Sequence, residues 1–208
     1  MTGGFILGFD SDHDDIFEQQ IRFIERGAIP WAMLNFLQAV PLTALHDRMK
    51  KEDRLIEYSV QNSDCDPPNF RTVLPASVLV RGFMKTLSSI YDPKNFFERA
   101  LRSLEDWQTG DSQHPAREPG LGGIIKILFR SFWQQGLRSS YKREYWKYLL
   151  RLMTRYPLNQ TKLWLGFTIL ISAHHFIPYA QQVVRSAAGA VFETAGEPEL
   201  VATGQMPS

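Results

Sequence analysis

A chain of 208 residues, 44% of them hydrophobic, is long enough to bury one good core or two small ones sharing an interface. Its 23 Lys and Arg against 22 Asp and Glu leave a net charge of +1, which by itself points to no polyionic partner. The single cysteine, Cys65, excludes an internal disulfide and any zinc or iron-sulfur site built from this chain's own thiolates.

The first element is the apolar run Gly4, Phe5, Ile6, Leu7, Gly8, Phe9, closed by the acidic cluster "DSDHDD". Such a run reads as a strand, spanning residues 3–9, that is covered on both faces. In "SDHDDIFEQQIRFIERG", Ser11 or Asp12 serves as N-cap, Phe17, Ile21 and Ile24 recur at helical spacing, and Gly27 stops the helix. A second strand is expected at 31–38, ended by Pro41, and a short helix follows with Leu45 and Met49 one turn apart. Two strands joined through a helix should lie parallel. Two strands alone make a poor sheet, so edges and apolar faces should be left exposed.

From residue 73 the pattern turns helical, with helices expected near 73–90, 93–108, 121–136, 140–155 and 159–184. The domain reading is 1–56 for the strand-helix piece, 57–72 for a linker marked by Pro67 and Pro68, 73–185 for a helical domain, and 186–208 for a disordered tail. A second loop is expected at 109–120. On this division the helical part, expressed alone, should behave better than the whole. The fold class is therefore α+β, mostly α-helical: two parallel strands with helices, followed by an all-α domain.

Few residues advertise chemistry. An EF-hand loop starting at Asp10 would need Gly and Glu where the chain has Asp15 and Ile21, so "DSDHDD" reads as a helix start and not a calcium site. His174 and His175 are adjacent on a helix and diverge by about 100°, which suits a core or interface role better than ligation of one ion. Neither a catalytic residue nor a metal ligand is expected. "LWLGFTILISA" (163–173) is too short a run to span a bilayer, and the N-terminus lacks the basic start of a signal peptide. A cytoplasmic setting is the expectation.

One stretch is polarised. Between Lys126 and Lys162 stand nine Lys or Arg against the single acid Glu144, and "RSSYKREYWKYLLRLMTRY" (138–156) reads as a basic amphipathic helix with aromatics. That composition fits contact with an anionic membrane surface, against the plainer reading that its aromatics are core. No nucleic-acid-reading module is recognisable.

The segment from Gly3 to Leu55 resembles the last strands and helices of the barrel in cobalamin-binding radical S-adenosylmethionine (radical SAM) enzymes. Gly4, Ile6, Gly8 and Asp12 match one part of the pattern; Leu37, Gln38, Ala39, Pro41, Thr43, Leu45, Glu52, Arg54 and Leu55 match the other. Asn69-Phe70, Gly82-Phe83, Ile90-Tyr91-Asp92-Pro93, Phe96-Phe97, Arg99, Tyr145-Trp146 and His175-Phe176 are similar to the C-terminal domain of unknown function in the branch that includes hopanoid methylases. Leu42 and Ala44 depart from the family's Gly and Pro, which alters the freedom of that turn. The resemblance implies a parent enzyme, a methyltransferase acting on an unreactive carbon, that uses S-adenosylmethionine, a 4Fe-4S cluster and cobalamin. It implies that the present chain, with no cofactor of its own, begins inside a barrel whose N-terminal part and cobalamin domain would be its partners. The cofactor-binding residues carried over are Gly4, Ile6 and Gly8, whose backbone would touch the adenosyl group, with Leu37 and Gln38 on the other side. A second reading, from a different class, is a non-enzymatic helical module working through its basic, aromatic surface at a membrane or a protein partner.

Overall fold

The structure, a computed structural model, describes residues 2–56, 67–107 and 130–195, with side chains through Ser186. Strand β1 (Thr2–Leu7), helix α1 (Ile16–Arg26), strand β2 (Trp31–Phe36) and helix α2 (Ala44–Lys51) form a strand-helix-strand-helix unit. Next come α3 (Ala76–Ile90), α4 (Pro93–Asp106), a π-helical segment (Phe132–Arg138), α5 (Lys142–Arg155) and the long α6 (Gln160–Ala195). The α+β, mostly helical class is as expected. β1 and β2 are parallel, with Gly3 opposite Ala32, Phe5 opposite Leu34 and Leu7 opposite Phe36.

The strands are covered on one face only, which corrects the two-face expectation. Strand alternation sends Leu7, Ala32, Leu34 and Phe36 inward, where Phe36 stacks on Phe83 of α3 at 4.4 Å, and leaves Ile6 43% and Met33 51% exposed on the other side. An apolar run cannot reveal this, because both of its faces read alike.

Helix α1 begins at Ile16, later than expected, because Asp12 does not cap it. Its carboxylate turns back to accept from the backbone N–H of Gly8 (2.8 Å) and of Phe9 (3.0 Å), fixing the loop after β1. Asp15 takes the N-cap position without capping a backbone N–H, its carboxylate instead accepting from the Gln19 side chain at 2.7 Å. α1 then lays Phe17 against α3 at Gly82, where a Cβ would stand 2.3 Å from the ring, so only glycine admits the contact.

The core does not divide at residues 57–72. One cluster of buried side chains runs from Leu7 and Ile24 through Phe83 and Phe96 to Tyr148 and Ile177. Residues 57–66 of the expected linker, and Cys65 among them, lie outside the described residues, as do 108–129 with the loop expected at 109–120 and most of the helix expected at 121–136. The linker's last residues are built in: Phe70 is buried with Met49 and Ala39, and its backbone bridges Leu55. The helical region also holds β2. Leu37 N–H donates to Leu7 O, so by alternation the Ala32 carbonyl points to the far edge of β2, where the Tyr91 hydroxyl donates to it at 2.8 Å. Excised at residue 70, the helices would bare Phe83 and Leu79, which pack in a core shared with β1, β2 and α1.

Arg99 is fully buried and donates to the carbonyls of Ile29 (2.8 Å) and Ile90 (2.6 Å) and to Glu25 (2.6 Å), tying the loop before β2 to the end of α3. Asp92 caps α4, accepting from Lys94 and Asn95, with Pro93 as the first helical residue. Phe176 stacks on Tyr91 at 5.6 Å.

Helix α6 runs through Ala195, into the stretch expected as tail, and 196–208 lie outside the described residues. Its segment Gln160–Ser186 is long and apolar enough to cross a bilayer, because Phe176, Ile177, Val183 and Val184 extend the run past the two histidines. A stripe of Gly166, Ile169, Leu170, Ala173, Ile177 and Ala180 is nonetheless buried in the helical core, as a packed core helix requires.

Candidate functional site

In parallel α/β units, ligands gather at the C-terminal ends of the strands, where the connecting loops meet. Here that end is built by the loop Gly8–Asp12, the turn Gln38–Leu42 and residues 54–55 with 67–71. Gly8 sits at φ 108°, in the region that favours glycine, and a Cβ there would meet only ordinary contacts. Backbone conformation, and not lack of space, is what demands Gly at this position.

A charged clasp locks the loops together. Arg54 donates to both oxygens of Asp10 (2.6 and 3.1 Å), to Glu52 at 2.9 Å and, through Nε, to the Arg71 carbonyl at 2.8 Å, while its guanidinium lies 5.7 Å from the centre of the Phe70 ring. Arg48 adds a further bond to Asp10 at 2.8 Å. The Arg54 hydrogen bond, opposed by some desolvation and helped by the charges of Arg54 and Arg48, holds the Asp10 carboxyl below its ordinary range. Asp10 is thus held as an anion facing the two guanidinium groups.

The five residues carried over from the resemblance separate into two groups. Gly4 and Ile6 lie on the open face of the sheet, and nothing stands within 4 Å of a Cβ built on Gly4. Gly8 is buried at the loop above them. Leu37 is half-buried and packs on the Ala39, Met49 and Phe70 cluster. The side-chain amide of Gln38 is engaged with the chain itself, donating to Pro67 O at 3.2 Å and accepting from Asn69 N at 3.3 Å. Asn69 in turn closes a two-way bridge to the Ala39 backbone.

Two residues of the open face escaped the sequence reading. The register sets Met33 beside Gly4 and Asn35 beside Ile6, so the four share one surface. The signal was present in Asn35, a polar residue two positions from Met33 within an apolar run, which marks a face not meant for the core.

Elsewhere, His174 is half-buried with its ring 5.4 Å from that of exposed His175. Burial holds His174 below its usual pKa, and His175 and Arg130 push the same way. Among the described residues no group of three or more His, Cys, Asp or Glu is placed to hold a metal ion.

A parallel strand pair with one open face, loops clasped at its C-terminal end and a helical region closing its β2 edge defines an α/β unit fused to a helical domain. The chain belongs to the family described as Domain of unknown function (DUF4070), which matches residues 43–188. It is 30% identical over 199 residues to the hopanoid C-2 methylase of Rhodopseudomonas palustris (strain TIE-1), covering 91% of this chain and 35% of that protein. It is 28% identical over 189 residues to the uncharacterized methyltransferase sll1242 of Synechocystis sp. (strain ATCC 27184 / PCC 6803 / Kazusa), covering 89% and 34%. The chain spans about a third of the length of these relatives. No solved structure matches it. Kinship with hopanoid methylases, expected from the residue pattern, is therefore met.

Proposed function

We propose that this chain is the C-terminal portion of a cobalamin-dependent radical SAM methylase, supplying two barrel strands and the helical domain that braces them. The supporting observation is the open sheet face. Among the described residues no strand pairs with the outer edge of β1, and Gly4, Ile6 and Met33 stand exposed on the face away from the helices. Further strands added beside β1 would turn that surface into a barrel interior, and the relatives are long enough to contain them.

S-adenosylmethionine fits this face. Gly4 leaves room for close approach to the main chain, and Ile6 and Met33 offer an apolar floor for an adenine ring. Gly8 shapes the loop above it, and Asp10 with Arg54 keeps that loop in place. The iron-sulfur cluster does not fit, since one cysteine cannot supply three thiolates. Nor does cobalamin have a recognisable site among the described residues. On this reading those groups would sit on a preceding portion of the parent enzyme and carry the methyl transfer, with a lipid-like or other small molecule as acceptor. The chain alone would be inactive.

Sequencing the transcript upstream of Met1 tests this. A continuous frame carrying Cys-x-x-x-Cys-x-x-Cys supports the proposal. A stop codon directly upstream, together with stable accumulation of the 23.9 kDa product, refutes it.

A further inference from the structure

The basic stretch resolves into two faces. On α5, Tyr145, Tyr148 and Leu152 are buried, so those aromatics belong to the core. At ~100° per residue, Met153, Trp146 and Leu150 fall within an arc of about 60° on another side of the helix. They are 46%, 41% and 67% exposed. The π-helical segment adds exposed Phe132, Trp133 and Leu137, and the Phe132 ring meets Trp146 edge-on at 5.5 Å, so the two elements present one apolar surface.

The rim of this surface is cationic. Lys142 borders the arc on one side and Arg143 on the other, and neither forms an ion pair among the described residues. Arg138 lies 5.7 Å from the centre of the Trp133 ring, and Lys147 is tied to Glu144, the single acid from 126 to 162. The indole N–H of Trp146 is already donated to Gly136 O at 3.0 Å, so its exposed edge can enter an apolar medium without stranding a donor.

We propose that this aromatic surface docks onto an anionic lipid bilayer, with Trp146, Leu150 and Met153 entering the headgroup boundary and Lys142, Arg143 and Arg138 meeting lipid phosphates. An exposed apolar patch marks an interaction surface. A rim of one charge sign calls for a counter-surface of the other sign extending on all sides, and an anionic membrane is that surface. Aromatic rings at the headgroup level complete the match. The proposal is independent of the enzyme reading, since it uses none of the sheet residues.

The test is sedimentation of the 208-residue chain with vesicles of phosphatidylcholine alone and of two parts phosphatidylcholine to one part phosphatidylserine. Binding should require phosphatidylserine and weaken at high salt. Lys142→Glu with Arg143→Glu should lower partitioning by at least roughly thirtyfold, and Leu150→Ser with Met153→Ser should lower it at unchanged melting temperature. All four side chains are exposed, so both variants should fold. Equal sedimentation with the two vesicle types, or none with either, overturns the proposal. So does a concentration-dependent dimer that Leu150→Ser dissociates, which would assign the surface to a second copy of the chain.

Discussion

Alanine at Gly82 should destabilise the protein, and the same substitution should stabilise it once Phe17 is trimmed. In the native packing the added methyl would lie 2.3 to 2.4 Å from three atoms of the Phe17 ring, where carbon atoms settle at roughly 3.5 to 4.0 Å. More than an ångström must be found by parting α1 from α3, in a core where Phe17 and Phe83 are both buried. Overpacking of this kind costs about 1–3 kcal/mol, and an overlap this large belongs at the upper end. Better helix propensity returns about 1 kcal/mol. The net loss is about 2 kcal/mol, a fall of roughly 4–8 °C in Tm for a chain of this size. Phe17→Ala alone should cost about 3–5 kcal/mol. In that background Gly82→Ala meets no ring, partly fills the space and gains about 1 kcal/mol from propensity. Urea denaturation of the four proteins completes the double-mutant cycle. Gly82→Ala that is neutral in the native background, or that has the same sign in both, would show that the ring contact does not govern α1 packing.

Arg99→Met should cost about 3–5 kcal/mol, because the Ile29 and Ile90 carbonyls lose their donor inside the core; a loss under about 1 kcal/mol in urea melts would contradict this. Leu42 is fully exposed at φ 69°, a conformation costing a side-chain residue roughly 1–2 kcal/mol, so Leu42→Gly should leave stability level or raise it by up to about 1 kcal/mol despite the added chain entropy. Asp10 has a folded pKa held below its unfolded one, so the stability it contributes is present above about pH 4 and is lost as pH falls through the lower folded value; Asp10→Asn should remove that portion of the acid sensitivity in denaturant midpoints compared between pH 6 and pH 3. Anaerobic reconstitution of the chain with iron and sulfide should yield no stoichiometric four-iron cluster, checked by iron content and absorption.

Local chemistry was legible in the sequence wherever neighbours along the chain decide the outcome. The parallel strand pair, the stop at Gly27, the pairing of Leu45 with Met49 and the starts and ends of α3 to α5 follow within a few residues from hydrophobic period and turn residues, because those signals act over one or two turns. The family pattern was legible too, yet its members could be read only as a set. Tertiary structure gave them separate tasks: Asp12 holds the β1 loop, Arg54 clasps Asp10, Asn69 bridges to Ala39, Tyr91 closes the edge of β2, and Gly82 receives Phe17.

What the tertiary structure alone decided was which way each apolar residue faces. A run such as "WAMLNFL" carries one polar residue, Asn35, to mark an open side, and which residues of β1 share that side with Met33 and Asn35 was decided only by the register, which sets Gly4 and Ile6 beside them. The same held for α5, where Tyr148 and Trp146 are chemically alike in sequence and opposite in fate, because the sides of a helix are told apart only by what packs on them. The linker boundary shifted for a similar reason: Phe70 is held by Met49, Ala39 and Leu55, contacts distant in the chain, and composition, which sums over neighbours in sequence, carries no record of them.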